Sequence, residues 1–336
     1  MIDIIICTYN RPKKVLELTN ELISCTSNSQ KIIIIDSSDK ENKKIQKINQ
    51  VVYVRSVQKN QPYQRFLGYH YSKSEYILYL DDDMELIEKE FLCKIEELLN
   101  TNNLSGIALN FRDKHNDTTL KSIPKSNLFS RSKFIHNIKN WLTGYTNPPE
   151  GKLGLCGIRG NQPEQLSLTE YVSGGAFIAK RDALFKNFNF QLFDIFEEKI
   201  GMGEDALIGY SLSKNGKLFF DPNIYFLHND SKDSSYSQNL EAYSKRVLFS
   251  RLYLSLEKLR IDGKGVLLGK IHFHWYAFCR IIGLLLNLIS KPSQDMLSVF
   301  VGSNKGWILT FGFKFYSNLE RNKFWEIRVE EDLNKN

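Results

Sequence analysis

Three consecutive carboxylates, Asp81-Asp82-Asp83, are the residues of this sequence whose type and spacing are best suited to chemistry. Acidic runs are commonly solvated surface, but this one directly follows the apolar run Tyr-Ile-Leu-Tyr-Leu, which predicts a buried strand. Carboxylates held together repel one another, and a hard divalent cation removes that repulsion. Because nucleotide enzymes usually hold Mg²⁺ or Mn²⁺ with one or two carboxylates plus substrate phosphates, the triplet predicts a divalent metal site.

Two later segments also carry groups that could act on a ligand. Glu204 and Asp205 follow Gly201-Met202-Gly203 and open a predicted helix. The helix dipole alone stabilises acids in a first turn, but the flanking glycines permit close backbone approach and favour a functional interpretation. His228 ends a predicted strand and is either a metal or diphosphate ligand or a buried core histidine.

The first two strands are followed by polar residues as well. Thr8-Tyr9-Asn10-Arg11-Pro12 is typical of a helix start, with Asn10 or Arg11 at the cap and Pro12 in the first turn. A capped helix N-terminus also binds anions, so the two interpretations are compatible. Asp36, after the second strand, lies either in a simple polar turn or in a ligand site.

The elements that must position these residues alternate apolar strands with helices, which predicts an α/β fold with a mostly parallel sheet. Ligands of such sheets bind at the carboxyl ends of the strands, where the residues above lie. The predicted strands are Ile2–Thr8, Lys31–Asp36, Val51–Arg55, Tyr76–Leu80, Gly106–Phe111, Tyr171–Ala179, Lys217–Phe220 and Ile224–Leu227, and the predicted helices are Lys13–Ile23, Leu86–Leu99 and Glu204 to Lys214.

The order of the motifs resembles the family 2 glycosyltransferases of the GT-A fold, a Rossmann-like α/β architecture. The resemblance covers roughly residues 1–230 and leaves a C-terminal helical region, 231–336. Phe66 departs from it, because relatives commonly have Asn at this position. The motifs are Thr-Tyr-Asn-Arg-Pro after strand one, Asp36, Asn-Gln-Pro-Tyr-Gln-Arg (60–65) with Gly68, the acidic triplet, Ser173-Gly174-Gly175 and Gly203-Glu204-Asp205.

The resemblance implies a role for each matching residue. Thr8, Asn10, Arg11 and Asp36 would hold the base and ribose of a nucleotide-sugar donor. Arg65 would face the donor diphosphate, Asp81 would belong to the donor site, and Asp82 would lie toward the ribose. Asp83 would bind the metal, with His228 approaching the metal or diphosphate. Ser173, Gly174 and Gly175 would form a loop between donor and acceptor. Asp205 would be the general base, with Glu204 beside it.

These roles imply an inverting glycosyltransferase that moves a sugar from a nucleoside-diphosphate sugar, expected to be a UDP-sugar, to a hydroxyl of a saccharide or lipid-linked glycan. Surface polysaccharide biosynthesis is a typical setting. A sugar nucleotidyltransferase is an alternative, although such enzymes usually carry a glycine- and basic-rich phosphate loop, whereas residues 8–12 contain no glycine. A non-catalytic sugar-binding relative is the second alternative.

Charge and cysteine content bear on partners and compartment. The chain has 45 basic and 38 acidic residues, and residues 231–336 hold 16 basic against 10 acidic, so an anionic membrane surface is an expected partner. Packing of the tail on the catalytic domain is the alternative. The run 271–290 is long enough to span a membrane, but the central Arg280 disfavours this. No nucleic-acid-binding motif accompanies the charge, so nucleic acid is not expected.

Five scattered cysteines without a CxxC pair fit a reducing compartment, and the N-terminus has no basic region of a secretory signal. We therefore expect a cytoplasmic protein, peripheral on the inner face of the membrane. The stretch 112–169 has few periodic apolar runs and is predicted to be an acceptor-binding loop or lid, with a disordered insertion as the alternative. Its aromatic residues Phe134, Trp141 and Tyr145 favour partial order.

Overall fold

A computed structural model describes residues 1–27, 29–113, 148–186, 188–228, 239–315 and 319–335. Most of the predicted loop 112–169, with its three aromatic residues, lies outside these residues. The strands are β1 Ile2–Thr8, β2 Ile32–Asp36, β3 Val51–Arg55, β4 Tyr76–Asp81, β5 Met84–Glu85, β6 Leu104–Asp113, β7 Ser167–Leu168, β8 Ala176–Lys180 and β9 Lys217–His228. The helices are α1 Pro12–Ile23, α2 Gln61–Tyr71, α3 Phe91–Asn102, α4 Gln191–Glu197, α5 Glu204–Asn215, α6 Leu240–Ile261, α7 Val266–Ser290, α8 Gln294–Gly312 and α9 Leu319–Lys335.

The described strands form one sheet in the order β3-β2-β1-β4-β8-β6-β9-β5, with β7 paired to β9. β1, β2, β3, β4, β6 and β9 run in the same direction. β8 is antiparallel between β4 and β6, and β5 and β7 are antiparallel to β9. The predicted mostly parallel α/β sheet is therefore confirmed, and the reversed β8 brings its own N-terminal end beside the carboxyl end of β4.

Helices cover both faces of the sheet, which explains why its strands are apolar at nearly every position. Ile4 and Ile6 of β1 pack in the cluster that contains α1 and α3, whereas Ile5 packs in the cluster that contains α2, α5 and α9. This alternation is the period of two expected for a strand. The result is a three-layer α/β/α arrangement whose carboxyl edge carries the polar residues.

Several elements differ from the sequence-based expectation. α2 was not predicted, because Pro62 and Gly68 interrupt its helical pattern of apolar residues. Gly68 is nevertheless required, since a Cβ at this position would lie 2.7 Å from Ile5 Cγ2. α3 begins five residues later than predicted, since β5 and a turn precede it. The strand predicted at Tyr171–Ala179 begins only at Ala176. The last two predicted strands are one strand, β9, with an irregularity in its pairing between Asp221 and Tyr225.

The C-terminal region is helical, as predicted, and packs closely against the rest of the chain. α8 lies against α6 at Gly302 and Gly306, where an added Cβ would be 2.1 Å from Glu241 O and 2.5 Å from Lys245 O. α9 returns to the sheet layer and buries Trp325 completely, with its indole N–H donating to Asp194 Oδ1 at 3.1 Å. α9 is therefore part of the catalytic-domain core.

α7 is apolar on both of its faces. One face, with Phe273, Tyr276 and Ala277, is buried with α6. The opposite face exposes Leu267, Leu268, Ile271, Trp275, Phe278, Ile282, Leu285, Leu286 and Ile289. By length and composition this helix could cross a membrane, and 22% of its most apolar 18-residue segment is buried.

Candidate active site

The acidic triplet lies where β4 ends, between the first strand and the reversed strand β8. The Asp81 backbone N–H donates to Gly175 O at 2.9 Å, which places the Ser173–Gly175 loop directly beside the triplet. Asp82 and Asp83 lie in the turn between β4 and β5, and both are buried. The carboxylates and the Ser-Gly-Gly loop are therefore neighbours, whereas a role of the loop between donor and acceptor stays a prediction.

The loop after β1 covers the triplet. Thr8 Oγ1 donates a 2.6 Å hydrogen bond to Asp82 Oδ2. One nitrogen of Arg11, Nη1, lies 2.9 Å from Asp82 Oδ1 and 2.6 Å from Asp83 Oδ2. A single guanidinium thus pairs with two neighbouring carboxylates, and the Arg11 side chain is 39% exposed, so it is accessible from solvent.

His228 is brought to Asp83 by strand pairing, because β5 pairs Met84 with His228. His228 Nε2 lies 3.4 Å from Asp83 Oδ1, outside hydrogen-bond geometry. This Asp83 oxygen is buried and accepts no hydrogen bond from a described residue. Asp83 Oδ1, a buried carboxylate oxygen that accepts no hydrogen bond from a described residue, and the nearby His228 Nε2 are metal ligands that fit a divalent cation. Among the described residues no cluster of three or more such side chains could hold a metal alone, so substrate oxygens would have to complete its coordination.

Burial and neighbouring charges shift the pKa values of the three carboxyl groups differently. Burial raises the pKa of Asp81 to about 7 against the opposing effect of Arg65. Burial also raises the pKa of Asp82, although Thr8 and Arg11 oppose it. Burial would raise the pKa of Asp83 too, but His228 and Arg11 outweigh it and the pKa lies below its usual value. Asp83 is thus the member of the triplet that most strongly favours its anionic form, as a metal ligand must.

The triplet lines a cavity of about 560 Å³, which we call the donor cavity. Thr8, Arg11 and His228 also line it, and their contacts with a donor or metal stay a prediction. Residues to which the sequence assigned no individual role line it as well, among them Tyr9, Ser37, Lys59, Gln61, Gln64 and Lys199. Lys199 makes no ion pair with a described residue, so its ammonium group is available to an anionic ligand.

Asn10 and Asp36 lie beside the donor cavity without lining it. Asn10 adopts the left-handed conformation, with φ of 55°, and its N–H donates to Ser38 Oγ at 2.7 Å. Asp36 is buried and accepts hydrogen bonds from Tyr53 Oη at 2.6 Å and the Ser38 N–H at 2.7 Å. Asn10 therefore links the loops after β1 and β2, whereas Asp36 links the loop after β2 to β3. The contact of either residue with a nucleotide stays a prediction.

Glu204 and Asp205 lie at the N-terminus of α5, where Gly203 occupies the cap position with φ of 83°. Glu204 Oε1 accepts from Arg65 Nη1 at 2.9 Å, and Asp205 Oδ1 accepts from Arg159 Nη2 at 2.6 Å. Burial raises the pKa of Glu204, although Arg65 opposes it. Gly174 lies so close that a Cβ there would be 3.3 Å from Asp205 Oδ2.

Arg65 connects the acidic triplet at the end of β4 with the start of α5. Besides Glu204, it donates to Asp81 Oδ1 at 3.2 Å and to Gly174 O at 2.7 Å. Its side chain is only 2% exposed. These contacts couple the end of β4, the Ser-Gly-Gly loop and the start of α5, whereas its predicted contact with the donor diphosphate stays a prediction.

A second cavity, of about 530 Å³, contains Glu204 and Asp205, and we call it the acceptor cavity. It adjoins the donor cavity, because Gln61 and Asp81 line both. Gly174 lines it, whereas Ser173 does not and instead accepts from Gln162 Nε2 at 2.9 Å. One wall of this cavity is formed by α6, which contributes Tyr243, Val247, Ser250, Arg251 and Leu254. This wall had no motif in the sequence.

Comparisons with known proteins agree with this geometry. Residues 3–155 match the family model described as Glycosyl transferase family 2. The crystal structure of S. aureus TarS residues 1–349 is similar, with a TM-score of 0.53, 14% identity, and coverage of 91% of this chain and 80% of that one. The same fragment in complex with UDP-GlcNAc has a TM-score of 0.51, 13% identity and the same coverage. No curated protein matches the chain.

Proposed function

We propose that this chain, a family 2 glycosyltransferase of the GT-A fold, transfers a sugar with inversion from a nucleoside-diphosphate sugar to a hydroxyl of a saccharide or lipid-linked glycan. One observation carries the proposal. Two adjoining cavities share Asp81, one with the acidic triplet and basic residues, the other with Glu204 and Asp205. A transfer reaction needs such a pair of neighbouring sites, one for each substrate.

The donor cavity suits a nucleoside diphosphate. Arg11, Lys59 and Lys199 supply positive charge, and Thr8 supplies a hydroxyl near the triplet. Tyr9 is 45% exposed, with the Lys59 ammonium 5.0 Å from its ring centre, and offers an aromatic surface for a base. A UDP-sugar is the donor that the resemblance favours, with Asp82 toward the ribose.

Asp83, with His228, would hold a Mn²⁺ or Mg²⁺ ion together with donor phosphate oxygens. When bound, such an ion supplies stabilisation of the negative charge that develops on the departing diphosphate. The buried Asp83 Oδ1, which accepts no hydrogen bond from a described residue and lies 3.4 Å from His228 Nε2, supports this assignment.

Asp205 is the proposed general base. It takes the proton of the acceptor hydroxyl as that oxygen attacks the anomeric carbon, a contribution of typically ~10²–10⁴-fold. A single displacement inverts the anomeric centre. Arg159, 2.6 Å from Asp205, keeps the carboxylate oriented in the acceptor cavity, and the hydroxyl must bind the remaining oxygen, Oδ2, which faces Gly174. Glu204 stays paired with Arg65 and orients the start of α5.

Metal-dependent turnover of a nucleotide-sugar panel tests the reaction. We expect release of nucleoside diphosphate with Mn²⁺ or Mg²⁺, and near-complete loss on chelation or in Asp83→Ala. Full activity in excess chelator would remove the metal from the mechanism. Binding of a nucleotide sugar without turnover would favour a non-catalytic sugar-binding protein, and formation of a nucleotide sugar from a nucleoside triphosphate would favour a nucleotidyltransferase.

We further propose that the exposed face of α7 lies on an anionic membrane at the cytoplasmic surface, where a lipid-linked acceptor would be available. Its exposed apolar residues include Trp275 and Phe278, and Lys264 and Lys291 flank the helix at its two ends. Apolar and aromatic residues with basic neighbours are typical of interfacial helices. Surface polysaccharide biosynthesis is the process that this placement favours.

Vesicle co-sedimentation tests the membrane proposal. We expect the protein to bind phosphatidylglycerol-containing vesicles, and Leu267→Asp with Ile271→Asp, at positions 70% and 60% exposed, to weaken binding by about tenfold or more. Val57→Asp, on the catalytic domain at a 68% exposed position, is the matched control and should bind as the wild type does. Equal binding by all three proteins, or none by the wild type, would contradict the proposal.

A further inference from the structure

Three arginines line the acceptor cavity, and two of them are neutralised by its carboxylates. Arg65 pairs with Glu204 and Asp81, and Arg159 pairs with Asp205. Arg251, on the α6 wall, has no carboxylate of a described residue within ion-pair distance. Arg251 is therefore the arginine of this cavity that pairs with no carboxylate of a described residue.

The hydrogen bonds of Arg251 are also incomplete. Of its five N–H groups, only one makes a hydrogen bond to a described residue, from Nη1 to Cys156 O at 3.2 Å. Nε is buried without a partner. A guanidinium presents N–H groups that match the oxygens of a carboxylate or phosphate, so these unused donors are suited to an anion.

The surroundings of Arg251 hold it in place. The turn that carries Cys156 is pressed against α6, because Gly157, with φ of 64°, approaches Leu254 so closely that a Cβ would lie 2.4 Å from Leu254 Cδ1. On the other side, the Tyr276 ring centre lies 5.9 Å from the guanidinium carbon. A cation held in position before its ligand arrives loses little conformational freedom on binding, which favours recognition of a specific group.

From these contacts we infer that the acceptor carries an anionic group, a phosphate or a carboxylate, that binds Arg251 while the reacting hydroxyl lies at Asp205. The inference rests on the proposed function, since it assigns the acceptor side of the same site. It explains why Arg251, which lines the same cavity as Asp205, has no paired carboxylate among the described residues, and it restricts the acceptor to phosphate-containing or acidic glycans.

Pairs of acceptors that differ only in charge test the inference. A panel of methyl glycosides is prepared as neutral sugars, 6-phosphates and 6-carboxylates, and binding is measured by calorimetry and transfer by steady-state kinetics. We expect the wild type to prefer a charged member, and the preferred one distinguishes a phosphate from a uronic acid. In Arg251→Gln, whose amide can still donate to Cys156 O, the KM for that acceptor should rise about 10- to 100-fold. Its kcat, the KM for the neutral counterpart and donor hydrolysis should change little.

Arg181→Gln is the matched control. Arg181 also donates to one carbonyl, Ser72 O at 3.1 Å, lies 4.6 Å from the ring centre of Tyr69, and lines neither cavity. This variant should keep the charge preference, and thermal unfolding of both variants checks their folding. Absence of any charge preference, or an equal loss for charged and neutral acceptors in Arg251→Gln, would overturn the inference. Arg251-dependent binding of charged glycosides without donor turnover would instead overturn the proposed function and leave only the anion-binding role of Arg251.

Discussion

Replacing Arg65 by Met should destabilise the fold in a way that depends on pH. The substitution removes a buried guanidinium that contacts Glu204, Asp81 and the Gly174 carbonyl, and it leaves two buried carboxylates without their cation. Breaking a buried ion pair by removing one partner costs about 3–5 kcal/mol. We expect a loss of this size in the free energy of unfolding at pH 8.

The loss should be smaller at pH 6. Arg65 lowers the pKa values of Asp81 and Glu204, both of which burial raises, so in the variant these values rise further. The folded variant then binds more protons than the unfolded chain above the ordinary carboxyl pKa, and its stability falls as pH rises. Each additional bound proton contributes about 1.4 kcal/mol per pH unit.

Urea unfolding at pH 6, 7 and 8 measures this effect. Arg181→Met is the control at pH 7 and 8, because Arg181 has no carboxylate of a described residue within ion-pair distance and burial with Arg181 lowers the pKa of His70 below this range. Its loss should be about 1 kcal/mol and nearly the same at these two pH values. If Arg65→Met has the stability of the wild type, or a loss that grows as pH falls, the assigned electrostatic role of Arg65 is wrong.

Two further predictions concern charges elsewhere. Arg11→Gln should bind Mn²⁺ about tenfold more tightly in the absence of donor, equivalent to about 1.4 kcal/mol, because the guanidinium of the wild type competes with a cation for Asp82 and Asp83. An electron paramagnetic resonance titration of free Mn²⁺ measures this affinity, and an unchanged or weaker affinity would contradict the prediction. Burial raises the pKa of Glu257 despite Arg260, so wild-type stability relative to Glu257→Gln should fall as pH rises above the ordinary glutamate value of about 4.3; urea unfolding from pH 4.5 to 8 checks this, and a constant difference would refute it.

The carboxyl edge of the sheet was predictable because strand ends follow from local apolar runs. The positions of Asp81 and Glu204 required only that β4 and α5 begin and end where their sequence patterns indicate. The approach of His228 to Asp83 was inferred only from the resemblance, since it depends on pairing between β5 and β9, which are about 140 residues apart. Pairing at such separation leaves no local signal.

Other features depended on packing and had no local pattern. Phe66 departs from the family motif and packs among Phe185, Phe188, Phe190 and Phe193, so its size reflects an aromatic core. Arg251 lies on a long helix of low amphipathic character, and only the fold shows that it lines the same cavity as Glu204 and Asp205. The tail was predicted either to meet a membrane or to pack on the catalytic domain. α9 packs in the core, whereas α7 keeps an exposed apolar face, and its contact with a membrane stays a prediction.

Asp205→Asn tests the central claim, that two adjoining cavities bind donor and acceptor and that Asp205 removes the acceptor proton. The amide fills nearly the same space beside Gly174 but cannot accept the proton. Donor affinity, measured by calorimetry with metal present, and turnover number, measured by transfer to an acceptor, are compared with those of the wild type. The account predicts unchanged donor affinity with turnover reduced by about 10²–10⁴-fold. Weakened donor binding with unchanged turnover would contradict it and would make Asp205 part of the donor site.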